Sequence, residues 1–440
     1  MTRNLYIKTY GCQMNVYDSQ KIADLLLTSH GMQLVITPDK ADLIVLNTCA
    51  VRGKAEEKLF SDLGRLRLIK KKHPEIIIGV GGCVATQEGK NILTRAPYVD
   101  FVFGPQTLHH IPLLYDEVVD TKRHLINIEL LKNEKFKHFP EPIADGPSAF
   151  VTIMEGCNRF CSYCVVPHTR GPEISRPFED VINECTKLSS QGVKEIHFLG
   201  QNVNAYRYKT KDLTDLLSKV AEDKNIARLR FTTSHPTSFS KRLMTAFANE
   251  PKIVNHLHLP VQSGSNRILK VMRRNYTTEQ YKEKIAAVRA LLPDISISSD
   301  FIVGFPNETE ADFQETLNFV SEVNFDHSFS FIYSPRPNTK AALMDDTISL
   351  PEKKQRLQTL QNLLTAQENV ISQAMLNTTQ EILVTGTAIR KDHQQLMGRT
   401  ENNRIVNFVN NTNQNLIGKI ISVKITKILR YSLRGEVASS

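Results

Sequence analysis

Apolar residues along this chain recur with two different periods, and the alternation between them outlines a fold. Three short runs rich in β-branched or aromatic residues, Leu5–Tyr10, Asp42–Asn47 and Glu75–Val80, read as buried strands. Between them the spacing turns helical. Ile22, Leu25 and Leu26 share a face within 19–29, and Leu59, Leu63 and Leu66 share one within 54–71. Strand, helix, strand at this spacing implies parallel crossovers and a three-layer α/β sheet.

Residues 118–148 lose the period and mix charge with Pro and Gly, so they are expected to form a linker. From Phe150 six further strand-like runs follow, centred on Val151–Met154, Glu195–Leu199, Leu229–Thr232, His256–Leu259, Ile295–Ser298 and Phe329–Ile332. Each gap has room for one helix, which predicts a partial (β/α)6 barrel. Pro351 opens an amphipathic helix carrying Leu357, Leu360, Leu364 and Ile371 on one side. After Leu376, short strands and Asn-rich turns predict a small β-barrel. The expected fold is therefore α/β and multidomain: an N-terminal domain over 1–117, a linker over 118–148, a barrel over 149–375 and a C-terminal β-barrel over 376–440.

Charge sharpens this picture at one end. The net charge is +9, and residues 376–440 hold nine Lys/Arg against four Asp/Glu, so +5 sits in the last piece. That balance points to an anionic partner, nucleic acid first. The most apolar run, Ile76–Ala85, is far shorter than the roughly 18 residues of a membrane span, so no membrane partner is expected. The N-terminal residues lack the apolar core of a signal peptide, and a soluble, reducing, cytoplasmic setting is expected. Seven cysteines in such a setting are not read as disulfides.

Their spacing carries the chemistry. Cys157, Cys161 and Cys164 lie within eight residues directly after the first barrel strand. Thiolates are preferred ligands of iron–sulfur clusters and zinc, and three ligands on a four-iron cluster leave one iron free. The alternative is structural zinc with His168 as fourth ligand, in a spacing unusual for zinc. Cys12, Cys49 and Cys83 each stand just beyond one of the three N-terminal strands, at the sheet edge where such folds bind ligands. They either form a second site or are inert buried thiols. Cys185, on a helical face with Val181, Ile182 and Leu188, is expected to be a core residue.

The motif of three cysteines opening a β/α barrel resembles that of the radical S-adenosylmethionine (SAM) enzymes. With the upstream cysteines and the basic β module, the chain resembles the methylthiotransferases from Tyr6 to Val437. Tyr10-Gly-Cys-Gln-Met-Asn15 and the run from Gln395 to Arg404 resemble the members that act on isopentenylated tRNA. Relatives acting on a ribosomal protein or on threonylcarbamoyl-adenosine carry other residues after the first Gly-Cys. The C-terminal piece resembles a TRAM domain, an RNA-binding β-barrel.

The resemblance implies that a 4Fe–4S cluster on Cys157, Cys161 and Cys164 chelates SAM and cleaves it to a 5′-deoxyadenosyl radical. That radical takes hydrogen from carbon 2 of N6-isopentenyladenosine beside the anticodon (position 37), in tRNAs reading codons that begin with U. An auxiliary 4Fe–4S cluster on Cys12, Cys49 and Cys83 supplies sulfur, which a second SAM methylates, making two SAM per turnover. The implied partners are tRNA, an electron donor such as flavodoxin or ferredoxin and the Fe–S assembly machinery, with the enzyme itself a monomer. Competing readings are the same chemistry on a ribosomal protein or on threonylcarbamoyl-adenosine tRNA, and a non-catalytic Fe–S or zinc RNA-binding protein.

SAM contacts are expected from Tyr163 and from motifs at carboxyl ends of barrel strands: Gln201, Asn202, Ser234, Gln262 and Asp300, with Arg273 pairing the SAM carboxylate. Turn chemistry alone would also favour such residues there. Asn307 stands where the family usually has Gly, and Asn tolerates the left-handed geometry of that turn. Arg399, Arg404, Lys424, Lys427, Arg430 and Arg434 are candidates for RNA phosphate contacts, or else a solvated surface.

Overall fold

A computed structural model describes residues 3–50, 55–130, 134–388, 395–410 and 414–438. The expected helix start at Lys54 lies outside the described residues.

The N-terminal domain is one parallel sheet of β1 (Asn4–Thr9), β2 (Gln33–Leu34), β3 (Leu43–Thr48), β4 (Ile77–Gly82), β5 (Phe101–Phe103) and β6 (Leu125–Asn127), in the order 2-1-3-4-5-6. The three expected strands are β1, β3 and β4, and the last two are buried throughout. Alternate residues serve opposite layers: Ile44, Leu46 and Ile78 face one core, Leu43, Val45 and Ile77 the other. From β1 the chain crosses through α1 (Gln13–His30) to β2 on one side, then returns to β3 on the other. The carboxyl ends of β1 and β3 are therefore a topological switch point, where open α/β sheets form their crevice. From β3 the chain runs through α2 (Ala55–Lys72) to β4.

The 118–148 segment is not a free linker. It contributes β6 to the sheet, and helix Glu134–Lys137 buries Lys135 completely. A three-residue edge strand is too short to show a period, and the burial of a lysine depends on partners that local composition does not reveal.

All six expected runs of the second region are parallel strands or overlap them. Ser148–Thr152, Glu195–Leu199 and Arg228–Phe231 form one sheet, His256–His258 pairs with Ser296–Ser298, and Asp300–Val303 pairs with Phe329–Ile332. Bridges at Leu229–Ile253 and Gln262–Phe301 link these groups into a partial barrel. Ile196, Phe198, Leu257, Ile297 and Phe301 pack outward against the helices. The intervening residues line a polar lumen, where Arg230 Nε meets Glu195 Oε2 at 2.8 Å and His258 Nε2 meets Asp300 Oδ2 at 3.4 Å.

Helix Leu350–Ala374 leads to a closed five-stranded barrel filled by Ile382, Val384, Val406, Phe408, Val423 and Ile425. Its turn at 399–404 docks on the larger barrel. Arg230 donates to Thr400 O and Glu401 O, each at 2.7 Å, and Arg228 donates to Arg399 O at 2.7 Å. Among the described residues no helix is long and apolar enough to cross a membrane.

Candidate functional site

The strand ends of the N-terminal sheet bring Cys12, Cys49 and Cys83 to one edge. Cys12 precedes α1, Cys49 follows β3, and Cys83 begins helix α3 (Cys83–Glu88) after β4. Gly11 makes the first approach possible: it has φ 93°, and a Cβ there would lie 2.2 Å from Cys49 Cβ. Asn15 holds the turns by donating to Thr48 O at 2.7 Å and Tyr10 O at 3.0 Å, while Asn47 donates to Asn15 O at 2.9 Å. The Cys12 thiol contacts Cys49, and this hydrogen bond together with burial raises its pKa well above the ordinary range.

The second triad sits on the loop after Met154–Glu155. Gly156 has φ 76°, and a Cβ there would meet Pro172 O at 2.0 Å, so only glycine lets the loop turn beneath this strand. Its N–H donates to Gln201 Oε1 at 2.5 Å. Arg159 N donates to Cys157 Sγ at 3.4 Å, and Arg274 Nη1 to Cys161 Sγ at 3.6 Å. Loss of solvent pushes the Cys157 thiol up to about 11 and the Cys164 thiol up to about 12, and each feels Cys161 as a charge neighbour. A metal ligand has to be a thiolate, so a cluster held here would have to supply the positive charge that offsets this burial. His168 is exposed, and among the described residues no three His, Cys, Asp or Glu side chains gather around a single-ion position.

The residues expected to meet SAM occupy the strand ends around this loop. Among the described residues, buried Asn202 Oδ1, Ser234 Oγ and His235 Nε2 have no hydrogen-bond partner, which leaves them able to meet a polar ligand. Thr233 and Gln262 hold left-handed φ of 66° and 79°, strain that non-glycine residues carry mainly at functional sites. Tyr163 packs edge-on to Phe305 at 6.5 Å. Asp300 pairs with His258 as described above. Asn307 has φ 66°, so the turn keeps its geometry without glycine. Arg273 is exposed with φ 57°, and it is Arg274, buried and bonded also to Pro260 O at 2.7 Å, that faces the cysteine loop. In a turn following a six-residue helix, one residue's rotation decides which of two adjacent arginines points inward, and no sequence period reaches that far.

The two triads flank one interface. Helix Val166–Thr169, just after Cys164, packs on α3, and Val165 belongs to the N-terminal core. Arg170, 2% exposed, reaches Cys83 Sγ at 3.4 Å, Asn15 Oδ1 at 2.9 Å, Asp18 Oδ2 at 2.8 Å and Glu155 Oε1 at 2.6 Å. Lys135 completes the network on Glu155 at 2.6 Å and Asp18 at 3.4 Å. Arg336, in the loop after the last barrel strand, has Cys49 among its charge neighbours. Arg170, Lys135, Arg274 and Arg336 escaped sequence reading because a single charge in a turn carries no pattern.

The six RNA candidates divide. Lys424, Lys427, Arg430 and Arg434 are exposed, and Lys427 stands opposite Arg434 across two strands. Arg404 is not available to a phosphate. It is 8% exposed and forms a two-armed ion pair with Asp326 at 2.6 and 2.7 Å, clamping the small barrel to the large one. Arg399 is half-buried, its side chain on Asn403 O at 3.3 Å.

Family models match in three places: the Radical SAM superfamily over residues 151–320, Uncharacterized protein family UPF0004 over 4–104, and the TRAM domain over 373–438. The tRNA-2-methylthio-N(6)-dimethylallyladenosine synthase of Coxiella burnetii (strain RSA 331 / Henzerling II) is 56% identical over 440 residues, covering 99% of this chain and 100% of its own. Those of Histophilus somni (strain 129Pt) and Hahella chejuensis (strain KCTC 2396) are each 53% identical, with 93% and 99% of their own lengths covered. Among solved structures, the radical S-adenosylmethionine methyltransferase TsrM from Kitasatospora setae, with cobalamin and a [4Fe-4S] cluster bound, superposes with TM-score 0.57 at 14% identity over 78% of this chain and 77% of that one. The cobalamin-dependent S-adenosylmethionine radical enzyme OxsB gives 0.55 at 15% identity, covering 81% of this chain and 56% of that one. At such identities the likeness is one of fold.

Proposed function

Because the chain belongs to the family of tRNA-2-methylthio-N(6)-dimethylallyladenosine synthases, radical SAM enzymes, we propose that it methylthiolates carbon 2 of N6-isopentenyladenosine at position 37 of tRNA. The observation that carries this reading is the meeting of two thiol triads at one interface, beside buried polar atoms of Asn202 and Ser234 that have no partner among the described residues. Cys157, Cys161 and Cys164 hold one 4Fe–4S cluster, and Cys12, Cys49 and Cys83 hold the other. When bound, the clusters and two molecules of SAM supply the radical chemistry and the sulfur that an unactivated aromatic C–H demands, since no side chain is base enough to take that proton.

The chain's own residues bind and orient. Gln201 fixes the amide that precedes Cys157. Arg274 holds Cys161 by a charge-assisted hydrogen bond. Tyr163, Asn202, Ser234, Gln262 and Asp300 offer the hydroxyls, amides and carboxylate that suit a ribose, an adenine edge and an amino acid. Lys424, Lys427, Arg430 and Arg434 lend RNA affinity without reading bases. The functional division is a sulfur-donating domain over 1–117 with the packed segment 118–148, a radical barrel over 149–375 and an RNA module over 376–440. The setting is cytoplasmic, the enzyme monomeric, and electrons come from a flavodoxin- or ferredoxin-type donor.

The test is anaerobic. Reconstituted protein is given SAM, reductant and an isopentenylated anticodon stem-loop, and digested nucleosides are weighed by mass spectrometry. A methylthio group on carbon 2 is the expected product. Its absence, with SAM cleaved normally, overturns the substrate.

A further inference from the structure

The last barrel strand, Phe329–Ile332, alternates between two environments. Ile332 packs on the core shared with helix Leu350–Ala374. Phe329 and Phe331 are 45% and 42% exposed. Register settles where the two rings face. Phe329 stands opposite Asp300 and Phe331 opposite Ile302, and paired residues of adjacent strands project to the same side. Asp300 turns across the lumen to His258, whereas Phe301 and Val303 lie in the outer core. Both rings therefore look into the barrel, from a strand that pairs on one side only among the described residues.

Elsewhere the lumen is lined by paired ions and imidazoles such as Arg230, Glu195 and His258. Phe329 is met by the His327 ring at 5.1 Å, and the remaining aromatic surface of it and of Phe331 is left open, marking a place that something apolar covers. Their position is specific. Ile302, beside Phe331, belongs to the apolar cluster that includes Tyr163, next to Cys164. Beyond Ile332 the chain leaves the strand through buried Tyr333, which belongs to that same apolar cluster, and continues to Arg336. The aromatic pair thus lines the lumen beside the apolar cluster that reaches the loop of the radical triad, on the strand that leads toward Arg336.

We propose that Phe329 and Phe331 form the wall that holds the target purine and its apolar N6 substituent. The inference rests on the tRNA reading above and names the residues that select its substrate. A flat base stacks on an aromatic face whatever its sequence context. A branched alkenyl chain can make no hydrogen bond to the lumen's ion pairs, and on an aromatic wall it is removed from water.

The experiment uses anaerobically reconstituted holoenzyme and two anticodon stem-loops, one with N6-isopentenyladenosine and one with adenosine, and compares their affinities by fluorescence anisotropy. Wild type is expected to prefer the isopentenylated RNA. Phe331→Ala and Phe329→Ala are expected to lose about tenfold in affinity for it and to bring the two RNAs close together. Ile36→Ala, removing a side chain 93% exposed on the N-terminal domain, serves as the control and keeps the preference. Both phenylalanines are exposed, so iron content and circular dichroism are expected to match wild type. Variants that keep the full preference overturn the aromatic wall while leaving the tRNA reading standing. A wild type that binds both RNAs equally overturns the substrate reading, and this inference with it.

Discussion

Arg170 Nε lies 3.4 Å from Cys83 Sγ, so the barrel domain sets a buried guanidinium directly on a thiol of the N-terminal domain. The two cysteine triads sit on separate sheets, and this side chain, six residues after Cys164, reaches across to one of them while its other arms neutralise Asp18 and Glu155. The N-terminal domain is therefore held in a definite place over the barrel mouth.

Removing that cation leaves two carboxylates in a dry interface with only Lys135 to balance them. Arg170→Gln is expected to cost about 3–5 kcal/mol, the usual penalty for breaking a buried pair from one side. Arg170→Lys recovers part of it. Thermal unfolding of the three proteins checks the order.

Radical generation and sulfur delivery are expected to separate in Cys49→Ala. The barrel loop keeps all three of its cysteines, so reductive cleavage of SAM continues, while the methylthio group is not transferred. Iron is expected to fall by about half, as the loss of one of the two proposed clusters requires. Assaying 5′-deoxyadenosine and methylthiolated nucleoside in the same tube distinguishes this from loss of both, which would mean that Arg170 and Arg336 couple the sites more tightly.

Cys185 is the internal control. It is 1% exposed among Val181, Leu188 and their neighbours, and burial drives its thiol pKa far upward. Cys185→Ala is expected to keep full iron and activity and to lose about 1 kcal/mol from the small cavity. Iron analysis and a denaturation midpoint measure both.

Acid sensitivity has an identified source at the same interface. Glu184 on the barrel side is met by Arg176 at 2.6 Å and by Lys21 of α1 at 2.9 Å. Burial alone would raise this carboxyl, but the two cations outweigh it and hold the pKa at about 2, below the ordinary 4.5. The folded state thus binds this proton more weakly than the unfolded chain does. Its stabilisation is complete above pH 4.5 and is lost as pH falls toward 2, roughly 3 kcal/mol in all. The gap in melting temperature between wild type and Glu184→Gln is expected to narrow between about pH 6 and about pH 3.

The basic residues of the small barrel are expected to separate by role. Lys427→Ala with Arg434→Ala weakens RNA binding evenly across sequences and lowers the slope of log affinity against log salt by about 2. Arg404→Ala leaves Asp326 buried without its cation and lowers the melting temperature. Titrations at several salt concentrations, beside melting curves, tell the two classes apart.

Much of this molecule was legible in one dimension because its determinants are local. Strand and helix periods marked β1, β3, β4 and all six barrel runs, since burial of one face imposes a period on consecutive residues. The neighbourhood of Cys157, Cys161 and Cys164 was readable because they share one loop, and the placing of Cys12, Cys49 and Cys83 because parallel strands end on a common edge. What only the tertiary structure decided are the pairings between distant segments. It set Arg274 rather than Arg273 on the cysteine loop, turned Arg404 from a phosphate candidate into the clamp on Asp326, and drew the supposed linker into the sheet with Lys135 buried. It also placed Arg170 on Cys83. Each of these depends on which charge lies across an interface, and a buried charge is specified by its partner in space, never by its neighbours along the chain.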